Sequence, residues 1–246
     1  MPTARAPRRR SPVLAGVEAV AFDGYGTIFD FSEADFIATF AELLAAQGLE
    51  ADAAELWRHF LQAAYWLRRE DHCQPFHLRF IDAWTRQFQQ SFRRLGLAGD
   101  PQAAARFLRQ RLGRVAVHPE VPLVLSALAP RYRLALLSNA DDDFLQEALE
   151  CNGLRFDLVV TSEGAGAWKP DPRIFQVLLE GLGLPPGAVV YVGDNPLPDV
   201  LGARRAGLRA VWLDREGRRR PRRVPAPDLK IRSLLELLPA LGTAHA

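Results

Sequence analysis

The chain has few cysteines and no long hydrophobic run. Its 246 residues include two cysteines, Cys73 and Cys151, which lie far apart and form no CxxC or metal-type spacing. This scarcity argues against a disulfide framework and favours a reducing, intracellular setting. No apolar run approaches the length that spans a bilayer, and the basic start, MPTARAPRRR, lacks the apolar stretch of a secretory signal. The prediction is a soluble cytoplasmic protein.

Lysine is nearly absent, although positive charge is plentiful. Only Lys169 and Lys230 occur among the 31 basic residues, and the others are arginine. Arginine presents a planar fork of donors, whereas lysine presents a compact point charge. A lysine that is present despite this bias is therefore a candidate for a role that needs its geometry.

The positive charge is concentrated in two short segments. Residues 1–12 contain four Arg and no acid, and residues 215–223, REGRRRPRR, contain six Arg and one Glu. Without these segments, which carry +4 and +5, the formal net charge of +2 becomes −7. A basic run can bind polyanions, but no nucleic-acid module accompanies these two, so we interpret them as a tail and a solvated loop. Neither nucleic acid nor a membrane is an expected partner.

The hydrophobic pattern separates an α/β part from a helical insertion. An apolar segment that ends at Asp23 predicts a first buried strand. From Asp35 to Arg111, apolar residues recur at helical spacing and predict four helices. Beyond Val115, strands alternate with helices, and a last helix is predicted over 231–241. This alternation predicts a parallel sheet with helices on both faces, interrupted after its first strand by the insertion.

Polar residues follow four of the predicted strands. Ligands bind at the carboxyl ends of parallel strands, so these residues should converge in space. Each of them alone has a plain explanation as a helix cap or a turn residue. Four such positions at one edge of one sheet point to a functional site instead. The residues are Asp23, Ser138 and Asn139, Thr161 and Ser162 with Lys169 shortly after, and Asp194 with Asp199.

Four motifs in chain order closely resemble those of the haloacid dehalogenase-like hydrolase superfamily. They are DGYGTIFD, LLSNADDD, GAWKPDPRIF and YVGDNPLPDVLGARRAG. The helical insertion falls where members of that family carry a cap domain. The resemblance spans nearly the whole chain from Val17. It implies a Rossmann-like core at 17–32 and 115–246 and an all-helical cap at 33–114, preceded by a basic tail at 1–16.

The resemblance also implies roles for residues of these motifs. Asp23 would be the nucleophile that forms a covalent aspartyl intermediate. Lys169 would neutralise charge on Asp23 and on the transferred group, and Ser138 would donate a hydrogen bond to a substrate oxyanion. Three further residues would contact the small-molecule substrate: Tyr25, Thr27 and Asn139.

A magnesium site is the cofactor that the resemblance implies. Asp194 and Asp199 would hold Mg²⁺ through hard oxygen ligands, together with Asp23 and the backbone carbonyl of Tyr25. The metal would let an anionic nucleophile approach an anionic phosphate. For Asp199, a supporting or capping role is an equally open interpretation.

Tyr25 stands where phosphatases of this family place an aspartate that protonates the leaving alcohol. Tyrosine, with an ordinary pKa of about 10, is poorly matched to that task at neutral pH. The 2-haloacid dehalogenases of the family show a DAYGT-like first motif, and a departing halide needs no proton. Phosphonate-cleaving members need a cap lysine, and this cap contains none.

The fourth motif favours phosphate chemistry. Dehalogenases of the family resemble SSNxxD there and need no metal, whereas VGDNPLPD contains two acids. The early-cap arginine typical of dehalogenases is absent from 47–56, although Arg58 follows. We therefore predict Mg²⁺-dependent hydrolysis of a phosphate ester through an aspartyl-phosphate on Asp23. The alternatives are a 2-haloacid dehalogenase and a catalytically weak binding module.

The insertion contains no motif that identifies the substrate. His59, Arg68, Asp71, His72 and His77 are candidate contacts. The tryptophans of this segment, Trp57, Trp66 and Trp84, are expected in the core. The oligomeric state stays open, with a homodimer as one option.

Overall fold

The computed structural model describes residues 14–71 and 78–243, and the side chains of 65–71 are not described. Most of the predicted basic tail, together with His72 and His77, lies outside the described residues. The side chains of Trp66, Arg68 and Asp71 do so as well. Within the described ranges, no helix combines the length and the apolar character needed to cross a membrane.

Six parallel strands form one sheet in the order β3-β2-β1-β4-β5-β6. This confirms the predicted α/β fold. Strands β2 and β3 lie on one side of β1, whereas β4, β5 and β6 lie on the other side. Sheets of this kind bind ligands where the strand order reverses, which here is between β1 and β4. The strands are β1 (Ala19–Phe22), β2 (Arg133–Ser138), β3 (Leu158–Thr161), β4 (Val189–Gly193), β5 (Arg209–Leu213) and β6 (Leu229–Ile231).

Alternate residues of the strands belong to two hydrophobic clusters, as the period of two in a strand requires. Val20 and Phe22 of β1 belong to one cluster, and Ala19 and Ala21 belong to the other. Both faces of the sheet are therefore covered, which explains why its strands are almost continuously apolar. The first cluster includes side chains of α5 (Val121–Leu128) and α6 (Asp142–Cys151). Helix α8 (Pro172–Leu182) contributes to the second cluster, and α7 (Ser162–Ala165) packs against it through Ala165.

Among the residues that the structure describes, four helices lie between β1 and α5, as predicted, and local signals explain their ends. Ser32 and Asp35 form a capping box at the start of α1. Gly96, with a φ of +67°, ends α3, and Asp100 caps α4 ahead of Pro101. The helices are α1 (Glu33–Ala46), α2 (Ala53–Asp71), α3 (Phe80–Leu95) and α4 (Pro101–Leu112).

The insertion is joined to the rest of the chain by apolar and polar contacts. Phe40 and Phe88 of the insertion belong to the same hydrophobic cluster as Phe22 of the sheet. The buried carboxylate of Asp141 accepts hydrogen bonds from the backbone N–H groups of Phe80 and Ile81, at 2.8 and 3.2 Å. Helix α3 is thus capped by a residue that lies outside the insertion. The four helices fall inside the predicted cap limits of 33–114, and those limits stay a prediction.

The C-terminal third differs from the sequence prediction in three places. Within the fourth motif, the sequence DVLGARRAG predicts a helix over 199–207, but the helix begins earlier, as a π-helical segment Pro196–Leu201, and continues as α9 (Gly202–Arg205). Strand β6 was not predicted, because three residues after an Arg- and Pro-rich segment give too short a pattern. The helix predicted over 231–241 is therefore shortened to a 3₁₀ turn, Leu234–Glu236, and α10 (Leu237–Ala240).

Candidate active site

A cavity of about 580 Å³ lies at the carboxyl end of the sheet, next to the insertion. Its lining includes three groups of residues: polar residues at the strand ends, aromatic residues in or next to the insertion, and arginines that follow β5. The four sequence motifs therefore converge, as predicted, but Thr161 and Ser162 do not line the cavity. The strand-end group comprises Asp23, Tyr25, Ser138, Asn139, Lys169, Asp194 and Asp199, and the aromatic group comprises Phe31, Phe36 and Trp57.

Parallel pairing brings the first and fourth motifs together. Phe22 pairs with Val192, and the Asp23 N–H donates to the Val192 carbonyl at 2.8 Å. Gly26 adopts a φ of +91°, and a Cβ there would lie 2.9 Å from the Asp194 carboxylate. The close approach of the first loop to Asp194 thus requires a residue without a side chain. Gly24 likewise allows the first loop to lie close to Ser138, because a Cβ at Gly24 would be 2.7 Å from the Ser138 Oγ.

Lys169 lies at the centre of the polar cluster and is buried. Its Nζ donates to Asp23 Oδ1 at 2.5 Å and to Asp199 Oδ1 at 2.8 Å. Asn139 holds the backbone of this lysine, because its Oδ1 accepts from the Lys169 N–H at 2.8 Å and its Nδ2 faces the Lys169 carbonyl at 3.4 Å. The ammonium group therefore has a fixed position between two carboxylates.

Tyr191 is a residue of the site that the sequence analysis missed. Its Oη accepts a hydrogen bond from Lys169 Nζ at 2.8 Å and donates to the Leu137 carbonyl at 3.0 Å. Burial, followed by the charge of Asp199, raises the pKa of this phenol well above its ordinary value, so it stays neutral. The available signal was a tyrosine within the aliphatic strand AVVYVGD, because a buried hydroxyl requires a partner.

The cluster contains more negative charge than Lys169 neutralises. Burial raises the pKa of Asp23 to about 6, with Lys169 opposing and Asp199 adding to the effect. Burial and the charges of Asp23 and Asp199 raise the pKa of Asp194 to about 8. For Lys169, burial lowers the pKa, but Asp199 and Asp23 outweigh it and the net shift is upward. The lysine is therefore charged, and three ionised carboxylates would exceed its single positive charge.

The three acids can hold a metal ion. Ligand oxygens of Asp23, Asp194 and Asp199 lie within 4.8 Å of one another, and carboxylate oxygens suit Mg²⁺. Burial first, and repulsion among the acids second, raise the pKa values of Asp23 and Asp194, and a divalent cation would favour the charged form of both. Asp199 has other partners as well, because Oδ1 accepts from Lys169 and Oδ2 accepts from the Asn195 N–H at 2.9 Å. The predicted ligand role of the Tyr25 carbonyl stays a prediction.

The side chain of Tyr25 is directed toward the insertion. Its hydroxyl donates to the carbonyl of Leu112, at the end of α4, at 3.2 Å. The ring packs against Phe29 and Phe144, at centroid distances of 5.2 and 5.9 Å. Burial and the nearby charge of Asp23 raise the pKa of Tyr25 well above its ordinary value. Proton transfer from this phenol to a leaving group is therefore disfavoured.

The other two predicted substrate contacts differ in position. Asn139 lines the cavity. Thr27 does not line it: its side chain is fully buried, and its Oγ1 has no hydrogen-bond partner among the described residues. The Thr27 carbonyl accepts a hydrogen bond from Arg215 at 3.4 Å. Substrate contact by either residue stays a prediction.

The basic segment at 215–223 is closer to the site than the sequence analysis expected. The interpretation as a solvated loop fits Arg219, Arg222 and Arg223, which are exposed. It does not describe Arg215 and Arg218, which line the cavity. The sequence pattern could not separate these two classes, because the whole segment has one composition.

The fold and the site together define a Rossmann-like α/β protein that has a helical insertion after its first strand and a cluster of carboxylates at the carboxyl end of its sheet. A sequence model described as haloacid dehalogenase-like hydrolase matches residues 17–207. The chain belongs to this family, as the motifs predicted.

Known relatives include both phosphatases and dehalogenases. The chain is 39% identical over 170 residues to phosphoserine phosphatase of Thermus thermophilus, an alignment that covers 65% of this chain and 68% of the relative. It is 29% identical over 231 residues to (S)-2-haloacid dehalogenase of Pseudomonas sp. (strain YL), with coverage of 93% and 96%. A solved dehalogenase structure aligns with a TM-score of 0.75 at 26% identity, covering 93% of this chain and 98% of that chain. Similarity alone therefore does not choose between the two reactions.

Proposed function

We propose that this hydrolase cleaves phosphate esters with the help of Mg²⁺. The observation that carries the proposal is the acidic cluster of Asp23, Asp194 and Asp199, whose ligand oxygens lie within 4.8 Å of one another. The SSNxxD motif of dehalogenases contains one acid, whereas VGDNPLPD contains two, so a dehalogenase reaction would leave one of Asp194 and Asp199 without a task. Mg²⁺ bound by Asp23 and Asp194, with Asp199 nearby, would offset the charge repulsion between a carboxylate and an anionic phosphate.

The residues of the cavity then have defined tasks. A carboxylate oxygen of Asp23 attacks phosphorus, the bond between phosphorus and the ester oxygen breaks, and the leaving oxygen takes a proton from water as the alcohol departs. Lys169 holds Asp23 through Oδ1 and balances charge on the phosphoryl oxygens. Ser138 donates a hydrogen bond to one of those oxygens. Water then hydrolyses the aspartyl-phosphate, which releases inorganic phosphate and restores Asp23.

The first test compares two reactions in parallel assays. We expect phosphate release from 4-nitrophenyl phosphate in the presence of Mg²⁺, and its loss when EDTA is added and no other metal is supplied. We expect no halide release from 2-chloropropionate under either condition. The aryl ester is the appropriate first substrate because its leaving group needs little acid assistance.

A 2-haloacid dehalogenase is the second candidate, and two observations favour it. Tyr25 provides no acid for an alcohol leaving group, and the dehalogenase relative aligns over 96% of its length. Halide release that persists in EDTA, without phosphate release, would replace the phosphatase proposal with this one. Absence of both activities would favour the non-catalytic binding module.

Leaving-group dependence tests the role of Tyr25. Because its hydroxyl is bonded to the Leu112 carbonyl and its pKa is raised, the alcohol should leave without a proton from this residue. Alkyl phosphates should therefore react more slowly than aryl phosphates by about 10²–10⁴-fold, the usual contribution of general acid catalysis. The measurement is kcat for a series of esters whose alcohols differ in pKa.

Two substitutions sharpen this prediction. Tyr25→Asp should raise kcat for alkyl phosphates by about tenfold or more, with little change for aryl phosphates. Tyr25→Phe is the matched control, because it removes only the hydroxyl and should keep the wild-type dependence on the leaving group. Equal rates for alkyl and aryl esters in the wild type would show that another residue supplies the proton.

A further inference from the structure

The Arg-rich segment places one guanidinium at the edge of the candidate active site. Arg218 lines the cavity, and its Nη2 donates to the backbone carbonyl of Asp194 at 2.9 Å. The same nitrogen lies 3.8 Å from Asp194 Oδ2. Arg219, the next residue, is exposed and is not part of the lining. Both arginines are exposed, but only Arg218 lines the cavity and contacts Asp194.

Arg218 is held in place by a buried acid that follows β5. Its Nε contacts Asp214 Oδ1 at 3.4 Å, and Asp214 is fully buried. The Arg218 N–H also donates to Asp214 Oδ1, at 3.0 Å. Lys230 contacts the second oxygen of Asp214 at 2.6 Å and donates to the Arg218 carbonyl at 3.0 Å. Both the backbone and the side chain of Arg218 are thus held by hydrogen bonds, although the residue is exposed.

Three acids lie near the Arg218 guanidinium: Asp194 at 3.8 Å, Asp214 at 3.4 Å and Glu216 at 3.8 Å. Asp214 carries one negative charge and contacts two cations, Lys230 and Arg218. Glu216 lies 3.8 Å from the guanidinium but is largely exposed, so its contribution is screened by solvent. The Nη1 atom forms no hydrogen bond or ion pair with any described residue. Nη1 is therefore available as a donor to another anion, on a side chain that lines the same cavity as Asp23.

We propose that Arg218 binds a second anionic group of the substrate, so that the preferred substrate is a phosphate monoester whose alcohol carries a carboxylate. This proposal rests on the proposed phosphatase function. Lys169 and the acidic cluster face the phosphate, and the guanidinium lies beyond Asp194 on the same cavity. Guanidinium groups bind carboxylates through paired N–H donors, which confers orientation as well as affinity.

A different role for Arg218 would be to neutralise Asp194 alone. In that case its removal would weaken the turnover of every phosphate ester by the same factor, because no contact with the leaving group would be lost. The two roles of Arg218 therefore predict different discrimination between a phosphate ester that carries a carboxylate and one that does not. They need not predict different overall rates.

The test uses two esters of matched size, propyl phosphate and 2-carboxyethyl phosphate. Wild-type protein should show a kcat/KM at least about tenfold higher for the carboxylated ester. Arg218→Gln should lose that preference, mainly through a higher KM for the carboxylated ester. Arg219→Gln is the matched control and should keep the preference. Equal kcat/KM values in the wild type, or an equal loss for both esters in Arg218→Gln, would overturn the proposal.

A binding measurement separates failure of this proposal from failure of the phosphatase function. In Asp23→Asn protein, calorimetric titration with both esters in the presence of Mg²⁺ needs no turnover. Tighter binding of the carboxylated ester, abolished by adding Arg218→Gln, would support the anion site even if no ester is hydrolysed. Equal affinity for the two esters would refute the anion site even if hydrolysis occurs.

Discussion

Replacement of Asp23 by asparagine should lower phosphate release from 4-nitrophenyl phosphate by at least about 10³-fold. Asparagine preserves the shape of the side chain but has no carboxylate to form the phosphoryl-enzyme bond. The Oδ1 position can still accept the hydrogen bond from Lys169, so the geometry of the site should remain. The measurement is kcat with saturating Mg²⁺, and residual activity above a few per cent would place the nucleophile elsewhere.

Stability provides the control for this variant, because Asp23 is an unfavourable charge in the absence of metal. Its pKa rises from 3.8 to about 6 on folding. Folding therefore favours the neutral carboxyl. The contribution of Asp23 to the free energy of unfolding is fully present below pH 3.8 and is lost as the pH rises through about 6. In EDTA at pH 8, Asp23→Asn should have a Tm equal to or above that of the wild type. A clearly lower Tm would mean that the loss of activity reflects misfolding.

Replacement of Lys169 by methionine should impair both activity and stability. The side chain keeps a similar length and apolar stem, but Asp23 and Asp199 lose the ammonium that contacts both. Breaking a buried ion pair in this way costs about 3–5 kcal/mol, because uncompensated charge stays in the interior. We expect a loss of kcat of about 10²-fold or more, since charge balance at the reacting group is commonly the largest catalytic term. Chemical denaturation and phosphatase assays measure the two effects.

Lys169→Arg separates the charge of this residue from its geometry. Arginine restores the positive charge, so part of the lost stability should return. The single Nζ, however, donates to Asp23, Asp199 and Tyr191 at once, and a planar guanidinium cannot place one nitrogen at that point. Activity should therefore stay low. Wild-type turnover in Lys169→Arg would refute the geometric role inferred for one of two lysines in an arginine-rich chain.

Tyr191→Phe should have a smaller effect on activity than the Lys169 variants. It removes one neutral partner of Lys169 Nζ and leaves both carboxylates in place. It should lower kcat less than Lys169→Arg does, with little change in KM. Tyr132→Phe is its matched control, because that hydroxyl also donates to a backbone carbonyl, that of Leu241 at 2.7 Å, away from the cavity. Equal losses of kcat in the two variants would indicate a general structural effect.

Several features were readable from the sequence because their causes are local. Strands β1 to β5 are short apolar runs, and the insertion helices are bounded by recognisable caps such as Ser32, Gly96 and Asp100. The four motifs were identifiable at strand ends, and parallel strands bring such ends to one edge. The family assignment and the convergence of Asp23, Lys169 and Asp194 followed from these patterns.

The tertiary structure decided which of these residues face one another. Pairing of β1 with β4 and burial on one face of the sheet place the hydroxyl of Tyr191 against Lys169, although 22 residues separate the two in sequence. Packing of α4 turns the Tyr25 hydroxyl toward Leu112, and Asp214 directs Arg218 into the cavity while Arg219 stays exposed. Local propensity and periodicity determine where a strand or helix forms. The direction of a side chain and the charge around it depend on elements that come together only when the chain folds.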